Sequence, residues 1–116
     1  MMAHLIHKST NKVLLSELSI AKSFRSRAQG YIGTKNINDQ EGTLFPKSNW
    51  IHTCFMSIAI DVIYLDGEMK VKKIQKNLKP WRFPAPVFGA SSVLETRVGF
   101  IDNHQIHVGD TLHVGD

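Results

Sequence analysis

Four side chains in this sequence have the types and spacing to do chemistry together: His52, Asp61, Trp81 and Arg82. Asp61 stands between Ile60 and Val62 in the longest apolar stretch, Ile51 to Leu65, which ends on the turn signal Asp66-Gly67. That stretch reads as a buried strand feeding a hairpin. An ionised carboxylate inside it needs hydrogen bonds or a cation, since isolated burial costs several kcal/mol. Arg82, presented by the stiff segment Pro80-Trp81-Arg82-Phe83-Pro84-Ala85-Pro86, is the expected bidentate partner. Asp61 would then either lock this loop onto the sheet or line a shallow pocket, walled by Trp81, for an anionic or sugar-like ligand. His52 has the opposite strand parity to Asp61, so the two meet only if Ser57-Ile58-Ala59 bends or bulges. If they do meet, general acid–base catalysis is the rival to plain binding.

Other chemistries find less support. Cys54 lies two residues from His52, a strand separation of about 7 Å, too far for a thiol–imidazole bond. On extended backbone His104 and His107 point to opposite faces, which works against a shared metal ion, and no Cys-x-x-Cys pair or His-Glu-x-x-His helix is present. Lys70, Lys72, Lys73, Lys76 and Lys79 run into Trp81, Arg82 and Phe83, a combination that superficially suits nucleic acid. Alternate strand residues face opposite ways, so these lysines are explained more simply as protection of an edge strand. No Gly-rich phosphate loop or serine nucleophile elbow is visible, and no cofactor is expected.

The elements that must position these residues are short. His4 to Lys8 and Val13 to Leu18 flank Ser9-Thr10-Asn11-Lys12, a first hairpin. Phe24, Ala28 and Ile32 recur at helical spacing, with Ser23 as N-cap and Gly30 as stop, which predicts one short helix. Glu41 to Pro46 reads as a strand closed by proline. Met69 to Lys76 is a strand whose alternation breaks at Ile74, as a bulge near Lys72-Lys73 would produce. Val93-Leu94-Glu95 is a strand and Val98 to Gln105 a loop or single turn. Ile106 to Val108 and Thr111 to Val114, joined by Gly109-Asp110, read as a closing hairpin-like pair. The sum is a mainly-β single domain over residues 1–116, a sandwich or partly open barrel with one short helix.

Bulk properties agree with this. The chain has 116 residues, 42% apolar and 21% charged, and no run near the ~20 apolar residues a membrane helix needs. Fourteen Lys and Arg against ten Asp and Glu leave a charge of +4, a mild bias towards acidic partners. One cysteine excludes an internal disulfide, and Met1 to Lys8 shows no signal-peptide pattern, so cytoplasm is the expected compartment.

Taken in order, several pieces form a pattern: Ser26-Arg27-Ala28-Gln29-Gly30-Tyr31-Ile32-Gly33, Glu41-Gly42-Thr43-Leu44-Phe45-Pro46, Ile51-His52-Thr53 with Met56, Ile60-Asp61-Val62 with Tyr64-Leu65-Asp66, Leu78-Lys79-Pro80-Trp81-Arg82, Gly89-Ala90, Val93-Leu94-Glu95 and Val108-Gly109-Asp110. Their order and spacing over roughly residues 14–114 resemble the bacterial and archaeal Domain of Unknown Function 192 family, in the branch with His-Thr and Pro-Trp-Arg rather than Trp-Met-Lys-Asn. Thr96-Arg97-Val98-Gly99 departs from the Leu-Pro-Ala-Gly-like turn of relatives, so that turn's conformation is not carried over. Many members of the family carry an export signal or lipoprotein leader. The resemblance implies a small mainly-β fold with a short helix and supplies no activity. From the residues themselves, the expected role is a non-catalytic binding or accessory module.

Overall fold

A computed structural model of the chain describes residues 3–21 and 36–115. Among these residues the extended segments are β1 (Ala3–His7), β2 (Lys12–Ile20), β3 (Glu41–Pro46), β4 (Ile60–Leu65), β5 (Val71–Leu78), β6 (Ser92–Arg97) and β7 (Leu112–Gly115). One four-residue helix, α1 (Phe100–Asn103), follows β6. The helix expected around Phe24, Ala28 and Ile32 lies outside the described residues.

The strands form one sheet in the order β5-β4-β6-β3-β2-β1-β7. Neighbours are antiparallel except β2 and β3, which run parallel. The predicted first hairpin is present, with His7 paired to Lys12 across the Lys8–Asn11 turn. At the far side the two sheet edges meet: Val71 N–H donates to Asp110 O (2.8 Å), Gly109 N–H to Val71 O (2.9 Å) and Leu112 N–H to Met69 O (2.9 Å). The sheet is thereby curled into a half-barrel joined at one end.

Curling explains the continuous apolar run. Every residue of β4 is buried because both faces are covered. Ile63 and Leu65 join the inner core with Leu5, Leu14, Leu15, Leu94, Phe100, Ile101 and Ile106. Ile60, Val62 and Tyr64 join an outer core with Phe45, Ile51, Met56, Leu78 and Val93. Fully burying such a side chain contributes about 1.5–3 kcal/mol, so β4 anchors both layers.

Two expectations about elements need correction, and a third is extended. The strand begins at Ile60, not Ile51, because residues 51–59 turn away to bond with the Lys79–Arg82 segment. Ile106 to Val108 does not pair with the last strand; β7 instead lies antiparallel to β1, where Leu112 can enter the inner core. The register of β5 shifts twice. One shift skips Lys72, as the broken alternation predicts, and the second falls near Asn77, which has φ 53°.

Candidate functional site

Asp61 accounts for that second irregularity. Its Oδ1 accepts the Asn77 N–H (2.9 Å), while Oδ2 accepts the N–H groups of Ile101 (3.0 Å) and Gly99 (3.2 Å). The carboxylate is 1% exposed and ties the β5 bulge and the start of α1 onto β4. Backbone donors, which any residue supplies, have replaced the expected cation. No ion pair joins Asp61 to Arg82; the Arg82 guanidinium is exposed and donates to Pro80 O (3.2 Å). Asp61 thus has the locking role, on a different element from the one expected.

The Trp81–Arg82 segment is held by Thr53. Its buried hydroxyl donates to Lys79 O (2.6 Å) and accepts Arg82 N–H (2.9 Å). Its backbone N–H donates to Arg82 O (3.1 Å), and its carbonyl accepts Trp81 N–H (3.0 Å). Four bonds therefore converge on one residue that sequence reasoning quoted only as part of a His-Thr pair. The signal available was a hydroxyl residue in an apolar stretch, which must find partners when buried. Nothing local identifies partners 26 and 29 residues away.

Around this hub the side chains face solvent. Phe55 is 63% exposed and Trp81 55%, with ring centroids 4.8 Å apart and planes inclined by 59°. Both have left-handed backbone, at φ 65° and 62°, a conformation that costs a bulky L-residue about 1–2 kcal/mol. The Thr53 bonds hold Trp81 in it. Beside them the His52 ring lies 5.5 Å from Trp50 and 6.0 Å from Phe83. His52 Nδ1 also accepts Cys54 N–H (3.2 Å), and Trp50 Nε1 donates to Pro84 O. The structure therefore brings Trp81 and Arg82 together with Phe55 by way of Thr53, and sets His52 in an adjoining aromatic row. Asp61, buried against α1, is not an exposed member of either.

Outside this surface, Glu95 on β6 is a buried carboxyl that sequence reasoning passed over. Its cross-strand neighbours are Val62 and Thr43, and burial pushes its pKa up to about 8. Nearby Tyr64 is raised to about 12, first by burial and then by the Glu95 charge, and its hydroxyl bonds Gln75 Oε1 (3.3 Å). On the edge strand, Lys76 pairs with Asp102 of α1 (2.7 Å).

Comparison with known proteins places this arrangement in a family. The family described as Uncharacterized ACR, Domain of Unknown Function 192, matches residues 5–114. A UPF0127 protein of Thermococcus sibiricus is 37% identical over 112 residues, spanning 93% of this chain and 72% of its own length. One from Pyrococcus abyssi is 32% identical over 113 residues, spanning 94% and 95%. These relatives are archaeal. Among solved structures, a protein of unknown function from Novosphingobium aromaticivorans has TM-score 0.80 at 22% identity, over 96% of this chain and 82% of that one. A Sinorhizobium meliloti protein provisionally described as a transcription regulator has TM-score 0.79 at 18% identity, over 97% and 91%. At those identities the structures share the fold, and the sequence matches carry the assignment: the chain belongs to the Domain of Unknown Function 192 family, together with the UPF0127 proteins.

Proposed function

We propose that this chain is a binding or accessory module whose ligand surface is the exposed aromatic shelf around Trp81, Phe55 and His52, with Arg82 beside it. The observation that carries this reading is the Phe55–Trp81 pair: two large aromatic rings more than half exposed, both on left-handed backbone. Folding alone would place such rings inside and such angles on glycine, so their retention together favours a surface role. Flat rings suit the face of a sugar or another planar group, and the guanidinium of Arg82 suits an anionic substituent. The favoured ligand class is therefore an acidic carbohydrate. Asp61, buried and accepting three backbone N–H groups, serves this surface through the fold, which favours binding over the acid–base alternative.

Tryptophan fluorescence during titration with uronate oligosaccharides, beside their neutral counterparts, tests the reading. Saturable quenching that favours the acidic ligands, and that Trp81→Ala abolishes without lowering the unfolding midpoint, is the expected result. Absence of any response from both sets, or an equal response in Trp81→Ala, would refute it. A steeply salt-dependent response to oligonucleotides alone would transfer the surface to nucleic acid.

A further inference from the structure

A second constellation lies away from the aromatic shelf, where the β1–β2 turn meets the loop before β7. The Ser9 hydroxyl is 3.1 Å from His7 Nδ1, and His7 Nε2 is 3.4 Å from Asp110 Oδ2. His7, Lys8, Ser9, Gly109, Asp110 and Thr111 line a cleft of about 280 Å³. We propose that Ser9, His7 and Asp110 form a nucleophilic site that takes a small carboxylic ester.

Three features support the assignment. Ser9 is exposed in the turn, so its hydroxyl can reach a substrate. The imidazole is partly withdrawn from water, at 15% side-chain exposure, and its backbone is paired on both sides, to Lys12 of β2 and Leu112 of β7. Asp110 is fixed where the two sheet edges join: its carbonyl accepts Val71 N–H (2.8 Å) and its Oδ2 accepts His107 N–H (2.8 Å). A carboxylate at Nε2 favours the tautomer with the proton there, which leaves Nδ1 bare to accept from Ser9. The ring nitrogens are exchanged relative to those of the serine proteases, but the logic of nucleophile, base and orienting acid is the same. Separations somewhat longer than a tight hydrogen bond are usual for such groups without substrate.

The chemistry balances with water as the only co-reactant. Ser9 Oγ bonds to the ester carbonyl carbon as its proton passes to His7 Nδ1. The carbon–oxygen bond to the alcohol then breaks, and the leaving oxygen takes that proton. Water repeats the sequence on the acyl-serine and releases the acid. Lys8 brings a positive charge to the cleft, which favours acyl groups bearing an anion.

The full chain treated with a fluorophosphonate, then digested and analysed by mass spectrometry, provides the test. The expected product is a phosphonyl adduct on Ser9, with fluoride displaced and the exposed Ser19 unmodified. His7→Gln should slow labelling about 100-fold. Asp110 is a positioning residue, so its role is read from ¹⁵N shifts of the His7 ring: protonated Nε2 in the wild type, and loss of that preference in Asp110→Asn. No adduct on Ser9, labelling of His7→Gln at the wild-type rate, or a wild-type ring protonated at Nδ1 would each overturn the proposal. The ring measurement needs no variant to fold.

Discussion

Both carboxylate oxygens of Asp61 accept backbone amides, Oδ1 that of Asn77 and Oδ2 those of Gly99 and Ile101. Asp61→Ala should therefore destabilise the fold by about 3 kcal/mol in urea denaturation, because the amides of Asn77 in β5, Gly99 before α1 and Ile101 in α1 lose their acceptor. Asp61→Asn, which keeps one oxygen, should lose less. Glu95 behaves differently. Its folded pKa is raised from 4.5 to about 8 by burial. The folded state holds the proton more tightly than the unfolded chain, so its stabilising contribution is complete below about pH 4.5. It is lost as pH rises through about 8. Between pH 5 and 9 the wild type should lose several kcal/mol of stability. Glu95→Gln should remove most of that slope, as chemical denaturation across the range would measure.

At the scale of elements, the two loops that carry the aromatic shelf depend on Thr53. Thr53→Val is nearly isosteric but leaves Lys79 O and Arg82 N–H without their side-chain partner, a cost of about 2 kcal/mol. Thr53→Ser keeps both bonds and should stay within about 1 kcal/mol of wild type. Near-UV circular dichroism should lose the Trp81 contribution in the valine variant and keep it in the serine variant. Between strands, Gly42 of β3 lies against Leu15 and the Glu95 backbone. A Cβ there would stand 2.6 Å from Leu15 Cδ1 and 3.2 Å from Glu95 O. Gly42→Ala should lower stability by about 1–3 kcal/mol, measured by thermal unfolding, since backbone on one side cannot yield.

At the scale of the whole molecule, the described residues form a sheet curled until its edges meet, with α1 over the inner core and the 47–58 and 79–90 segments beside the outer one. Among the described residues no helix is long and apolar enough to cross a membrane. The half-barrel also places the two proposed sites on different elements: the aromatic shelf on the segments flanking β4 and β5, and the Ser9 cleft at the β1–β7–β5 seam. Substitutions at one should therefore leave the other unchanged, as sites without shared partners usually do.

Sequence by itself determined what local chemistry writes: the mainly-β class from period-two runs and turn residues, the first hairpin, the lysine-rich strand at a sheet edge, and the skipped residue at Lys72. It also marked Asp61 as a polar group that needs partners, and Trp81 with Arg82 as a pair on a stiffened loop, but passed over Thr53. Tertiary structure alone decided who those partners are. Asp61 reaches amides 16, 38 and 40 residues away, and Thr53 reaches a carbonyl and an amide across two loops. The pairing of β7 with β1 is of the same kind. Backbone N–H and C=O groups are nearly identical at every position, so the residue type that supplies one leaves no mark on the sequence; only the path of the chain brings it into reach.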